Sequence, residues 1–186
     1  AWGKDIQQTP DGGYIHSGTI FTNQANVYLG KIDGNGNTIW ETSFGGANGD
    51  YDESVGQTSD GGYIVSGFTA SFGTGGADIY LVKADANGNE LWAKTFGGTG
   101  DEYGGAVRIT SDGGYFITGN TDSFGAGGRD VYLIKTDAND NAGVIQLPRT
   151  GQTTCYDSAG AVIPCTGTGQ DGEIQAGVPW PTPRFT

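Results

Sequence analysis

Histidine, cysteine and basic residues are scarce in this chain. It holds a single histidine (His16), two cysteines (Cys155 and Cys165), no methionine, and 9 Lys and Arg against 21 Asp and Glu. A single histidine leaves no His cluster for zinc, and no cysteine or serine is matched to it as nucleophile to base. His16 stands in a strand slot that Val65 and Ile117 fill in related segments, so it reads as a tolerated substitution. A net charge of −12 repels phosphates and argues against a nucleic-acid partner. No run approaches the roughly 18 apolar residues of a transmembrane helix, so no membrane span is expected. No apolar stripe repeats at helical spacing, so almost no helix is expected. There is neither a signal peptide nor an initiator Met, and Ala1 starts in mid-pattern, as in a mature or trimmed fragment.

Glycine is abundant instead. Its 36 residues make up about a fifth of the 186, against a usual ~7%. They show no collagen-like period and accompany an aromatic content of 11%. Glycine among aromatics indicates tight turns between short strands, since disordered segments lack aromatics.

One phrase occurs three times: "TPDGGYIHSG" at Thr9–Gly18, "TSDGGYIVSG" at Thr58–Gly67 and "TSDGGYFITG" at Thr110–Gly119. Asp11, Asp60 and Asp112 are thus 49 and 52 residues apart, and Trp40 and Trp92 keep the second spacing. The second copy divides into four runs, "SVGQT", "YIVSGFT", "DIYLVKA" and "ELWAKTF", rich in β-branched and aromatic residues and bounded by Gly, Asp or Asn. "SDGG" and "DANGN" join them as hairpins, with glycine supplying the positive φ angles. Four antiparallel strands in ~50 residues form the blade of a β-propeller, which buries its faces only against neighbouring blades. The expectation is an all-β, propeller-type stack over 1–147, with blades of about 1–49, 50–101 and 102–147, and a tail over 148–186. Tyr14, Tyr63 and Tyr115, with Trp40 and Trp92, are read as packing between blades.

These copies resemble secreted bacterial and archaeal propeller repeats that carry a D-G-G-Y-I-V-x-G signature, over about 1–141. That resemblance implies the fold and carries no assigned function with it. Propellers close with four to eight blades, and the third copy decays after "DANDN" at Asp137–Asn141. Three blades therefore imply further blades of the same protein, closure with other copies of the chain, or an open stack that polymerises.

The tail holds five of the six prolines and no DGGY copy. Cys155 and Cys165 flank a Ser-Ala-Gly turn and are expected to form a disulfide, which implies an oxidising compartment. Thr150–Gln152 and Asp171–Phe185, "DGEIQAGVPWPTPRF", resemble the opening of the Legionella collagen-like adhesin C-terminal domain family, with Glu173 and Pro179 as variants. The implied setting is exported, surface-associated and adhesive. The alternative is a structureless linker pinned by one disulfide.

Two sets of residues are candidates for chemistry. Asp33, Asn35 and Asn37, then Asp85, Asn87 and Asn89, then Asp137, Asn139 and Asn141, place side-chain oxygens as at the start of a calcium loop. The bidentate glutamate of such a loop is missing, and a hairpin turn is needed there in any case. The second set comes from topology: the loops opposite the DGG turns collect Asp50, Tyr51, Asp52, Phe72, Asp101, Glu102, Tyr103, Phe124 and Arg129. Acids, aromatics and glycines together suit sugars or a cation, unless these residues recur because every blade junction needs the same turn. Repetition in each blade also argues against catalysis, because catalytic residues occur once. The functional expectation is a non-catalytic, secreted or cell-surface protein for adhesion, binding partners such as surface glycans through repeated weak contacts. The alternatives are a structural subunit that self-assembles into a filament or ring and a carbohydrate-active enzyme.

Overall fold

The computed structural model of the chain describes residues 1–125 and 128–137, together with the backbone of three further strands. No helix occurs among the described residues, so none is long and apolar enough to cross a membrane. The first repeat forms β1 (Trp2–Gln8), β2 (Tyr14–Phe21), β3 (Ala25–Ile32) and β4 (Thr38–Phe44). The second forms β5 (Asp50–Gln57), β6 (Tyr63–Thr69), β7 (Asp78–Ala84) and β8 (Glu90–Phe96). The third forms β9 (Glu102–Ile109), β10 (Tyr115–Thr121), β11 (Asp130–Thr136) and β12 (Ala142–Leu147). Each repeat is an antiparallel sheet with its strands in chain order. The tail, expected to be irregular, adds β13 (Thr154–Tyr156) and β14 (Val162–Ile163) to the third sheet beyond β12. Cys165 and the side chain of Cys155 lie outside the described residues, and with them the expected disulfide.

The repeated phrase has a local purpose in each hairpin. Asp60 follows strand β5 and its Oδ1 accepts the Thr58 hydroxyl at 2.5 Å and the Gly62 amide at 2.9 Å. Gly61 sits at φ +83°, where a side chain would be strained. Lys83, from β7, reaches the same carboxylate at 2.9 Å. Lys31 on Asp11 and Lys135 on Asp112 repeat that ion pair, at 2.6 and 2.7 Å. Thr, Asp, Gly and a lysine two strands away therefore form one unit that closes the turn. The Asp11 carboxyl is held well below its usual range by Lys31 and Thr9, and Asp60 is lowered to about 2 by Thr58, Gly62 and Lys83 against the opposing effect of partial burial.

The sheets pack face against face in chain order, with β2 and β3 against β5, and β6 and β7 against β9. Ile15, Val27, Leu29 and Phe44 of the first sheet meet Val55, Tyr63, Val65, Tyr80 and Val82 of the second. Ile64, Ile79, Leu81 and Phe96 on the opposite side of the second sheet meet Val107, Tyr115, Ile117, Tyr132 and Ile134 of the third. Alternate residues of β6 and β7 thus enter different cores, which explains why β7 is buried along its whole length. Trp40 lies against Tyr63 at 5.7 Å and Trp92 against Tyr115 at 6.0 Å, so both pairs are inter-sheet packing.

The leading strands β1, β5 and β9 lie side by side. Each carries a bulge at the same place, marked by register shifts at Gly3/Asp5, at Asp52/Ser54 and opposite Ile117/Gly119. A bulge sharpens the twist and re-aims the next side chain. Asp5 is turned onto β5, where its Oδ2 accepts the Ser54 hydroxyl and the Val55 amide, both at 3.0 Å. Gly104 of β9 comes so close to β6 that an added Cβ would collide with the Gly67 carbonyl.

Candidate binding face

The loops opposite the DGG turns do gather at one end of the sheets, but their acids face two ways. Asp50 begins β5 and is fully buried. Its Oδ2 accepts the Gly46 amide at 2.7 Å and the Ser71 hydroxyl at 2.8 Å, and Thr69 Oγ1 donates to its Oδ1. Glu102 begins β9 and repeats this pattern, accepting the Gly98 amide at 2.7 Å, Thr121 Oγ1 at 2.6 Å and the Ser123 amide at 3.1 Å. These two carboxylates tie the FGG link between sheets to the loop after the second strand. Each accepts three hydrogen bonds, and both are fully buried rather than lining the surface. Phe72 and Phe124 cover the same links: their ring tips lie 2.9 and 3.0 Å from where a Cβ on Gly46 or Gly98 would stand. Their rings rest on Tyr80 and Tyr132 at 5.7 and 5.5 Å. Asp101 accepts the Ala77 amide at 2.9 Å and the Tyr103 hydroxyl at 3.3 Å.

The outward side of this end is a row of rings. Tyr51 stacks on Phe68 at 4.8 Å and 18°. Phe68 meets Tyr103 edge-on at 5.0 Å and 76°. The Arg129 guanidinium lies over the Tyr103 ring, 4.7 Å from its centroid, and forms a two-pronged pair with Asp122 at 3.2 and 2.7 Å. All four side chains of the row remain partly or fully exposed. Trp2 occupies on β1 the position of Tyr51 on β5 and Tyr103 on β9; it is 60% exposed and packs edge-on against Phe21 at 4.7 Å. Each leading strand therefore presents an aromatic ring at the same level. Aromatic faces offer flat, weakly polar platforms, and the guanidinium plane and its carboxylate add directional hydrogen-bonding groups.

Asp52 belongs to neither group. It points from β5 toward the first sheet and is fully buried; its carboxyl oxygens have the Ser17 hydroxyl as a neighbour but form no hydrogen bond of good geometry with it or with any other group. Burial pushes its pKa up to about 8, with Ser17 opposing and the Glu53 and Asp5 charges reinforcing the rise. Asp78, not singled out in the sequence, is likewise raised to about 6, chiefly by burial and against the hydrogen bond from the Thr74 amide. Both Asp78 and Glu102 border Gly97.

The Asx-rich loops are built as turns. Asp33 Oδ1 accepts the Asn35 and Asn37 amides, both at 2.8 Å, and its Oδ2 accepts Asn37 Nδ2 at 2.9 Å. Asp85 does the same with Asn87 and Asn89. Both carboxyls are lowered by these bonds, that of the Asn side chain most. In the third loop Asn139 and Asn141 lie outside the described residues. Among the described residues no three His, Cys, Asp or Glu side chains are grouped to hold a metal ion.

Phe68 and the lysines of the DGG unit lie at opposite ends of what the repeat marks. Lys31, Lys83 and Lys135 recur with the repeat, each as the cation that a recurrent Asp meets. Phe68 aligns with Thr19 and Asn120, so no periodic signal marks it. Comparison with protein-family models and with curated proteins yields no match.

Proposed function

We propose that the chain is a non-catalytic binding module of a secreted or cell-surface protein, built of propeller-type blades and stapled in its tail by a Cys155–Cys165 disulfide. It engages an extended polymer such as a surface glycan through repeated weak contacts. The observation that carries this reading is the row Tyr51, Phe68, Tyr103 and Arg129, continued at the same level by Trp2. Sugar rings present apolar faces to aromatic platforms and hydroxyls to Arg129, Asp122 and Asp101, and recurrence on successive strands lets several residues of one polymer bind together. Placement of β1, β5 and β9 side by side, each leading its own sheet, supports blades around an axis. The inward orientation of Asp50 and Glu102 speaks against a surface acid pair for hydrolysis.

A glycan array and titration calorimetry test the reading. Wild type binds at least one polysaccharide class, and Tyr103→Ala weakens that binding tenfold or more, about 1.4 kcal/mol, while the melting temperature changes little. Binding that survives Tyr51→Ala and Tyr103→Ala together, or no binding to any glycan, overturns it.

A further inference from the structure

The two outermost faces of the three-sheet stack hold the positions that, inside the stack, form the two halves of one interface. Within the chain this interface is made twice. On its forward half stand Ile15, Val27 and Leu29 of the first sheet and Ile64, Ile79 and Leu81 of the second, all no more than 1% exposed. On its backward half stand Tyr63, Val65, Tyr80 and Val82 of the second sheet and Tyr115, Ile117, Tyr132 and Ile134 of the third. The third sheet carries a forward half with no sheet described against it: Phe116, Val131 and Leu133 hold the same positions, and Val131 is 47% exposed. The first sheet carries a backward half in the same condition, with Tyr14, His16 and Tyr28 only partly covered.

The backward half of the first sheet is altered in one place. Gly30 and His16 replace the Val82–Val65 and Ile134–Ile117 pairs of the other sheets. A Cβ on Gly30 would lie 2.7 Å from both His16 Nε2 and the Tyr28 hydroxyl, so the imidazole fills the space that the missing side chain leaves. Tyr28 keeps its ring 5.5 Å from His16 and donates its hydroxyl to Glu41 at 2.9 Å. The face keeps the two tyrosines of the other copies, Tyr14 and Tyr28, while gaining groups that tolerate water, as suits a surface that is exposed part of the time.

We propose that these two faces dock on each other between two copies of this chain, head to tail. The choice of occupant rests on continuity with the interface already present: the surface that best fits the forward half of a repeat is the backward half of a repeat, and one copy offers one of each. The contact is heterologous, because the two faces differ. Two copies bring together six sheets, within the range of four to eight in which blades close into a ring.

Sedimentation of the full chain from micromolar to several hundred micromolar tests this. Wild type is expected to associate. Thr118 is exposed on β10 at the position of Ser66, whose hydroxyl reaches Gly105 of the third sheet; Val131→Lys or Thr118→Arg, which block the forward face, and His16→Glu or Tyr14→Lys, which block the backward face, each raise the dissociation constant tenfold or more. Far-UV circular dichroism and melting temperature identify the variants that keep the fold, and one from each face suffices. The decisive step mixes a forward-blocked chain with a backward-blocked chain. Each is monomeric alone, yet each retains one good face, so the mixture forms a one-to-one pair. A wild-type monomer at every concentration overturns the proposal and assigns the faces to further repeats or another partner. Association that ignores the blocking substitutions, or blocked chains that fail to pair on mixing, also overturns it.

Discussion

Replacing Asp52 with asparagine should raise stability at alkaline pH and flatten the dependence of stability on pH. Asp52 lies in the packed layer between the first two sheets, and neither oxygen makes a hydrogen bond of good geometry. Its pKa is raised from 3.8 to about 8, first by burial. The native state therefore keeps a proton that the unfolded chain releases near pH 3.8. Below that pH both states are protonated and the site has no effect. As pH rises, the unfolded state is favoured by ~1.4 kcal/mol per unit. The loss is complete above about pH 8. Four units set a ceiling on the order of 5 kcal/mol, and water entry around the ionised group reduces this to an expected ~2–3 kcal/mol. Asparagine has the shape of the protonated acid and no charge to desolvate. At about pH 8.5 Asp52→Asn should gain ~2 kcal/mol, or ~4–8 °C in melting temperature for a chain of this size, and at about pH 4 almost nothing. Urea unfolding followed by circular dichroism at half-unit steps from about pH 4 to 9 measures both slopes. Parallel profiles for the two proteins, or a variant less stable than wild type at the alkaline end, would refute the buried, unpaired carboxyl.

Leu81 is fully buried in the core between the second and third sheets, and Leu81→Ala should cost ~2–5 kcal/mol by denaturant unfolding. Asp60→Ala leaves the buried Lys83 ammonium without its carboxylate and should cost ~1–3 kcal/mol; adding Lys83→Met should recover part of that loss, and a double-mutant cycle reads the difference. Gly104→Ala places a methyl against the Gly67 carbonyl and should lower the melting temperature by several degrees, an effect on the order of 1–3 kcal/mol. Asp78→Asn should flatten the pH profile between about 4 and 6 only, since its raised pKa is about 6, which separates it from Asp52 in the same titration.

The strands, their pairing within each sheet and the packing of Tyr63 and Trp40 are legible because each repeat must solve the same problem. Every sheet needs a closed hairpin and two apolar faces, so the residues that meet those needs recur. Topology placed the long loops at one end correctly, but the direction of each acid there depends on local register. Asp50 and Glu102 open their strands at positions that turn inward, and a bulge two residues later re-aims the side chains beyond it. Asp52 aligns with Gly3 and Gly104, and Phe68 with Thr19 and Asn120. Neither residue repeats, because each occupies a place where neighbouring sheets differ, and a periodic signal is blind to such places. β13 and β14 are short, pair only at an edge, and come after a segment without the repeat pattern.

The strict assignment of alternate β6 and β7 residues to opposite neighbours has a consequence for how such a chain lengthens. A duplicated middle unit, inserted beside its parent, would meet on one flank the very surface its parent already fits and on the other a close counterpart of it. Growth by whole units thus leaves the apolar contacts intact and asks for change only at unit-specific places such as Asp52, whereas gain or loss of one residue inside β7 would swap its two sides and spoil both cores at once. The chain's own repeats differ accordingly, with spacings of 49 and 52 residues set by the loop after the second strand while the strands keep seven or eight residues through β11.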